Sequence, residues 1–172
     1  MFVENFPPST TVIIGLGNPI LGDDGVGWRV VEQVSHQLSK VSTEEGENQE
    51  ISSHIEVDCL SLGGLALMER IIGYDRVIIV DALSTGKFVR GSVHCFPISD
   101  LQNIAIGHLS SAHDTTLQNA IEVGKLMGAK ITEDITIVGI EADHTFDFSE
   151  ELSNELLRSI PIATKNVMEL IK

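Results

Sequence analysis

Positive charge is scarce in this 172-residue chain: 11 Lys and Arg stand against 25 Asp and Glu, a net charge of −14. A phosphate backbone is therefore a poor partner, because binding one needs clustered cations that release counterions. Cysteine is scarce too. Cys59 and Cys95 are the only two, and they form neither a CxxC nor another spaced ligand pattern. Two small buried or half-buried thiols are expected. No apolar run approaches the ~18 residues that span a bilayer. The opening MFVENFPPSTT has no basic stretch followed by a long apolar one, so no secretory signal is expected there. A cytoplasmic location follows. Internal repeats, low-complexity tracts and linker-like breaks are also missing. Residues 1–172 therefore read as a single domain, long enough to bury roughly two-thirds of its unfolded surface.

What is present alternates between two periodicities. Thr11–Leu16, Arg76–Val80 and Ile135–Ile140 are β-branched apolar runs, as in strands buried on both faces. Ile55 and Val57 alternate with polar neighbours, as in a half-buried strand. Ser92–Phe96 alternates and stops at Pro97, which suits an antiparallel edge strand. Helical spacing places Val26, Val30, Val34, Leu38 and Val41 on one face of a first helix. A second helix fits about Leu65 to Ile72. A third fits Ser111 to about Met127, with Ser111 and Asp114 in capping-box spacing. The C-terminal part from about Ser149 is helical in pattern, with a break or kink expected at Pro161. The acidic stretch Ser42–Glu50 reads as a solvated loop. Strands alternating with helices predict an α/β three-layer sandwich, a twisted and mostly parallel sheet with helices on both faces.

In such a sheet, ligands bind beyond the carboxyl ends of the strands. The polar residues expected there are Asp23 and Asp24 after the first strand, Asp81 directly after RVIIV, His113 in the first turn of the third helix, and Glu141 after ITIVGI. One of Asp23 and Asp24 can cap the first helix while the other projects. Asp81 follows four apolar residues and needs a partner, since burying an unpaired charge is costly. A helix N-terminus disfavours imidazolium, which keeps His113 in its ligand-competent neutral form. Two carboxylates and one neutral imidazole make a borderline-hard donor set suited to nickel or zinc. Spacing alone leaves open whether the three converge. His94 is expected to face solvent, and Asp143-His144 to lie in a loop away from the site.

Several chemistries are excluded by motif. Gly15-Leu-Gly17-Asn-Pro-Ile20 begins like a dinucleotide fingerprint but has Ile20 where the third glycine belongs. No GxxxxGK[ST], HExxH or GxSxG occurs. Ser111, His113 and Asp114 are too close in sequence to present triad geometry to one another.

The stretch Ile14-Gly-Leu-Gly-Asn-Pro-Ile-Leu-Gly-Asp-Asp-Gly-Val-Gly27 resembles the opening motif of the hydrogenase maturation endopeptidases. Val77-Ile-Ile-Val-Asp-Ala82 resembles their second motif, Ser110-Ser-Ala-His-Asp114 their third, and Val138-Gly-Ile-Glu141 their last strand. The resemblance covers nearly the whole chain in order. It implies an α/β sandwich and a metal bound through Asp24, Asp81 and His113, which would also be the catalytic residues. It further implies removal of the C-terminal extension of a nickel–iron hydrogenase large-subunit precursor once nickel is inserted. The nickel would belong to the substrate, with zinc or cadmium able to substitute. Asp24 stands where many members have Glu, and Ala142 where many have proline. A monomer acting on that precursor is expected, with no nucleic acid or membrane as partner.

Two other readings start from the same residues. Peptidyl-tRNA hydrolases also open with a strand and Gly-Leu-Gly-Asn-Pro. They continue with a glycine, a tyrosine and Thr-Arg-His-Asn, whereas this chain continues Ile20-Leu-Gly-Asp-Asp. The acidic charge also opposes tRNA. A non-cleaving, nickel-sensing assembly chaperone would bind the same precursor without changing its mass.

Overall fold

A computed structural model describes residues 9–44, 54–101, 116–143 and 148–172. Five strands form one sheet in the order β2-β1-β3-β5-β4. They are β1 (Thr11–Leu16), β2 (Ile55–Leu60), β3 (Arg76–Leu83), β4 (Val93–Pro97) and β5 (Ile135–Glu141). The first four in that spatial order are parallel, and β4 pairs antiparallel with β5 at the edge. Four helices complete the described fold: α1 (Val26–Glu44), α2 (Gly64–Ile71), α3 (Leu117–Leu126) and α4 (Asn154–Leu170).

Alternation along the strands divides the core into two layers. Val77, Ile79 and Leu83 of β3 face α2 and α3, packed with Leu67, Ile71, Leu117 and Ile121. Ile78, Val80 and Ala82 face α1 and α4, packed with Val30, Val34, Ala163 and Val167. The central strands β1 and β3 are covered on both sides, and this is why they read as unbroken apolar runs. The result is the expected three-layer sandwich.

Several boundaries differ from expectation for physical reasons. Strand β3 does not end at Asp81 but runs on to Leu83, because ladder hydrogen bonds belong to the backbone and continue through a polar side chain. Helix α3 begins at Leu117 rather than Ser111, capped by Thr116, whose hydroxyl accepts the Asn119 N–H at 3.3 Å. His113 and the Ser111–Asp114 pair lie outside the described residues. Helix α1 extends to Glu44, into the stretch expected to be loop. Pro161 does not interrupt α4. The carbonyl that loses its helical partner there belongs to Leu157, an exposed residue that solvent can reach. Cys59 is half-buried, and desolvation, aided by Glu32 and Asp58, pushes its thiol up to about 11. Cys95, expected to be at least half-buried, is exposed. No described helix is long and apolar enough to cross a membrane.

The first turn of α1 lies directly on the backbone of β1 and β3. A Cβ at Gly27 would sit 2.5 Å from the Val80 carbonyl oxygen and would overlap that of Leu16. A Cβ at Gly15 would meet the Gly27 carbonyl at 2.5 Å. Only paired glycines permit this approach. Gly27→Ala is expected to lower unfolding free energy by about 1–3 kcal/mol or more, since the obstructing atoms are ladder carbonyls that cannot move aside. Chemical denaturation measures this, and a variant as stable as the parent would contradict the packing described.

Candidate active site

The carboxyl ends of β1, β3 and β5 carry the candidate residues, and the connection after β1 is the most constrained of them. Gly17 leaves β1 with φ +128, a conformation that side chains rarely adopt, and a Cβ there would collide with the Asp24 carbonyl. Its N–H donates to the Leu60 carbonyl at 3.2 Å, and its own carbonyl accepts the Ser61 hydroxyl at 2.7 Å. Asn18 closes a tight turn by accepting the Leu21 N–H on its carbonyl at 3.0 Å. A short 3-10 turn, Gly22–Gly25, then leads into α1.

That turn presents the two expected aspartates, and their surroundings separate them. Asp24 is half-buried, and its Oδ2 accepts the Asn18 N–H at 2.7 Å, which folds its carboxylate back over the end of β1. Asp23 is only 6% exposed. Its Oδ2 lies 2.6 Å from Arg90 Nη2, and its Oδ1 accepts the Ser153 N–H at 2.7 Å. Asp23 thus spends its carboxylate at the N-terminus of α4, where a negative charge is favoured, rather than capping α1.

Asp81 has no exposed surface. Strand alternation places it between Ile79 and Leu83, on the face covered by α2 and α3. It is registered against Gly139 of β5. Because β1 and β3 are adjacent parallel strands, the Asp24 turn and Asp81 belong to neighbouring positions at one edge. His113 lies outside the described residues, four positions before the Leu117 that opens α3 on that same face of the sheet. Among the described residues, no three His, Cys, Asp or Glu side chains form a group that could hold a metal ion.

Glu141 is 4% exposed, and its chemistry is structural. Its carboxylate accepts Thr85 N–H at 3.0 Å, Thr85 Oγ1–H at 2.8 Å and Gly86 N–H at 2.7 Å. It therefore braces the start of the β3–β4 connection. Asp143 pairs with Arg90 at 2.9 Å, and His144 lies outside the described residues. His94 does not simply face solvent. It is half-buried, stacks on Phe88 with ring centroids 3.9 Å apart, and its Nε2 lies 2.8 Å from Ser92 Oγ. Arg90 and Thr85, and the tie between Ser153 and Asp23, escaped the sequence reading. They act through contacts 56 to 130 residues distant along the chain, with no local pattern to betray them.

The profile of the hydrogenase maturation protease (HycI) family matches residues 29–170. The hydrogenase expression/formation protein HupD of Rhizobium leguminosarum bv. viciae is 22% identical over 167 residues, 96% of this chain and 76% of its own. HupD of Rhodobacter capsulatus is 23% identical over 158 residues, 92% of this chain and 69% of its own. Among solved structures, the hydrogenase maturating endopeptidase HybD of E. coli superposes with a TM-score of 0.68 at 17% identity, over 94% of this chain and 91% of its own. The [NiFe] hydrogenase maturation protease HybD of Thermococcus kodakarensis gives 0.62 at 22% identity, over 95% and 99%. The structural likeness is one of fold.

Glu141→Gln keeps an oxygen for the Thr85 and Gly86 N–H groups but turns its NH2 toward the Thr85 hydroxyl and removes the charge that strengthens all three bonds. It is expected to lower unfolding free energy by about 1–2 kcal/mol, because charge-assisted hydrogen bonds become weaker neutral ones. Thermal unfolding followed by circular dichroism checks this; an unchanged midpoint would deny Glu141 its bracing role.

Proposed function

The chain belongs to the hydrogenase maturation protease family, a family of peptidases, and from that premise we propose that it removes the C-terminal extension of a nickel–iron hydrogenase large-subunit precursor after nickel insertion. Asp24, Asp81 and His113 are the side chains that meet the nickel of the precursor from the protease side. The observation that carries this reading is the pairing of β1 with β3. It sets the loop holding Asp24 beside the strand holding Asp81, at the carboxyl edge where open α/β sheets bind ligands.

The chemistry of the donors fits. Two carboxylates and an imidazole suit a borderline divalent metal and leave coordination positions for the precursor's own ligands. A metal held there supplies Lewis-acid polarisation of a carbonyl or a bound water. In the same proposal, Asp24 or Asp81 accepts a proton from the attacking water, the ordinary role of a carboxylate base. Asp81 is withdrawn from solvent, so its attraction to a bound cation is little screened by water. Zinc or cadmium can take the place of nickel on such a donor set. The protein acts on its precursor in the cytoplasm, as a single-domain monomer.

Intact mass of the large-subunit precursor, nickel-loaded or nickel-free, tests the proposal after incubation with this protein and with His113→Ala. A C-terminal peptide should be lost only from the nickel-loaded precursor. His113→Ala should slow the loss by more than the roughly 10–100-fold that outer-shell changes cost a metal site. Binding without any mass change would contradict cleavage and point instead to a nickel-sensing chaperone.

A further inference from the structure

We infer that Asp23 and Arg90 form a positioning clamp that sets where Asp24 stands, and that neither touches the precursor. The inference rests on the reading that Asp24 faces the metal.

A 3-10 turn has three residues per revolution, so consecutive side chains point about 120° apart. Asp23 and Asp24 therefore cannot face the same way. With Asp23 driven into the interior, the direction of Asp24 is determined. Locally the turn has only the Asn18 N–H on the Asp24 carboxylate and its own backbone bonds: it is four residues long and has no side-chain cap at Leu21. Its remaining anchors come from elsewhere. Gly22 N–H donates to the Ser149 carbonyl at 2.6 Å, and Ser149 N–H donates back to Ile20 at 3.0 Å. The charged anchor is Asp23, held by Arg90 at 2.6 Å and by the Ser153 N–H at 2.7 Å.

Arg90 reaches further than one partner. Its Nη2 takes Asp23 while its Nη1 takes Asp143 at 2.9 Å. Asp23 lies in the loop after β1, Arg90 in the loop after β3, and Asp143 just beyond β5. One guanidinium thus joins the carboxyl-end loops of three strands. A second brace secures the backbone beside it: Gly91 N–H donates to the Glu141 carbonyl at 2.8 Å, and Glu141 N–H donates to Ser92 at 3.0 Å. A fork of five donors can span two carboxylates in this way, whereas a lysine ammonium is a single point of charge. Asp23 cannot dispense with the cation, because a carboxylate this buried is strongly penalised when unpaired.

Loosening the clamp frees the turn that carries Asp24, and neither Asp23 nor Arg90 is itself a precursor contact on this inference. Displacement of a reacting group by about 1 Å costs on the order of 100-fold in turnover. Cleavage kinetics on the nickel-loaded precursor should therefore show kcat of Arg90→Ala lowered about 10–100-fold, with KM changed less than about 3-fold. Arg90→Lys should recover part of kcat. Asp23→Asn keeps the shape without a bare buried charge, and should reproduce the kcat loss even if Arg90→Ala folds poorly. Val167→Ala, a core cavity in α4, should lose stability yet keep kcat, so instability alone is not the cause. Asp24→Ala run beside them separates two failures. If Asp24→Ala cleaves normally, the metal-facing reading falls and the clamp's purpose with it. If Asp24→Ala is dead but folded Arg90→Ala and Asp23→Asn keep the parent kcat, the clamp alone is overturned. A raised KM with unchanged kcat would also overturn it, by making Arg90 a precursor contact.

Discussion

A carboxylate withdrawn from water must find its counter-charge inside the fold, and at Asp23 that requirement ties the active edge of the molecule together. The residue sits on a turn too short to fix itself. Its partners arrive from the loop after β3 and from the start of α4. The same guanidinium continues to Asp143 beyond β5. Neutralising one buried charge therefore joins four segments that are distant in sequence. The steric counterpart lies one turn further on. Gly15 and Gly27 let α1 rest on the backbone of β1 and β3, which brings the turn down onto the sheet edge.

Burial and hydrogen bonding divide the acidic residues at this edge by task. Glu141 is spent on three donors of the β3–β4 connection, and Asp23 on an arginine and a helix terminus. Both hold structure. Asp81 stands fully buried on the central strand, and Asp24 leans back over the end of β1. Those two are the carboxylates assigned to the metal of the precursor. On the proposed reading, two acids give rigidity so that two others meet the metal of the precursor. Rigid placement of reacting groups is where much of the rate comes from in metal-assisted hydrolysis.

The layers of the fold were legible in the sequence because strands covered on both faces are apolar along most of their length, as β1, β3 and β5 are. The edge strand β4 was legible from its alternation and from Pro97. Polarity misled at Asp81, where the backbone ladder ignores the side chain and continues to Leu83. The sequence pattern places the start of α3 too early, since Thr116 caps that helix. Of the site, the pair Asp23–Asp24 was visible as a pair, with its division of labour undecided. What decided it is Arg90, 67 residues away, and no local pattern announces a contact of that separation. The family motifs supplied the order Asp24, Asp81, His113, which geometry within the described residues does not complete.

The most direct measurement is anomalous diffraction from crystals of the protein soaked in cadmium or nickel salt. The account predicts one strong peak about 2.0–2.5 Å from carboxylate oxygens of both Asp24 and Asp81 and from a ring nitrogen of His113. A peak bound instead by Asp23 or Glu141, or one that leaves out either Asp24 or Asp81, would contradict the assignment on which the proposed chemistry stands.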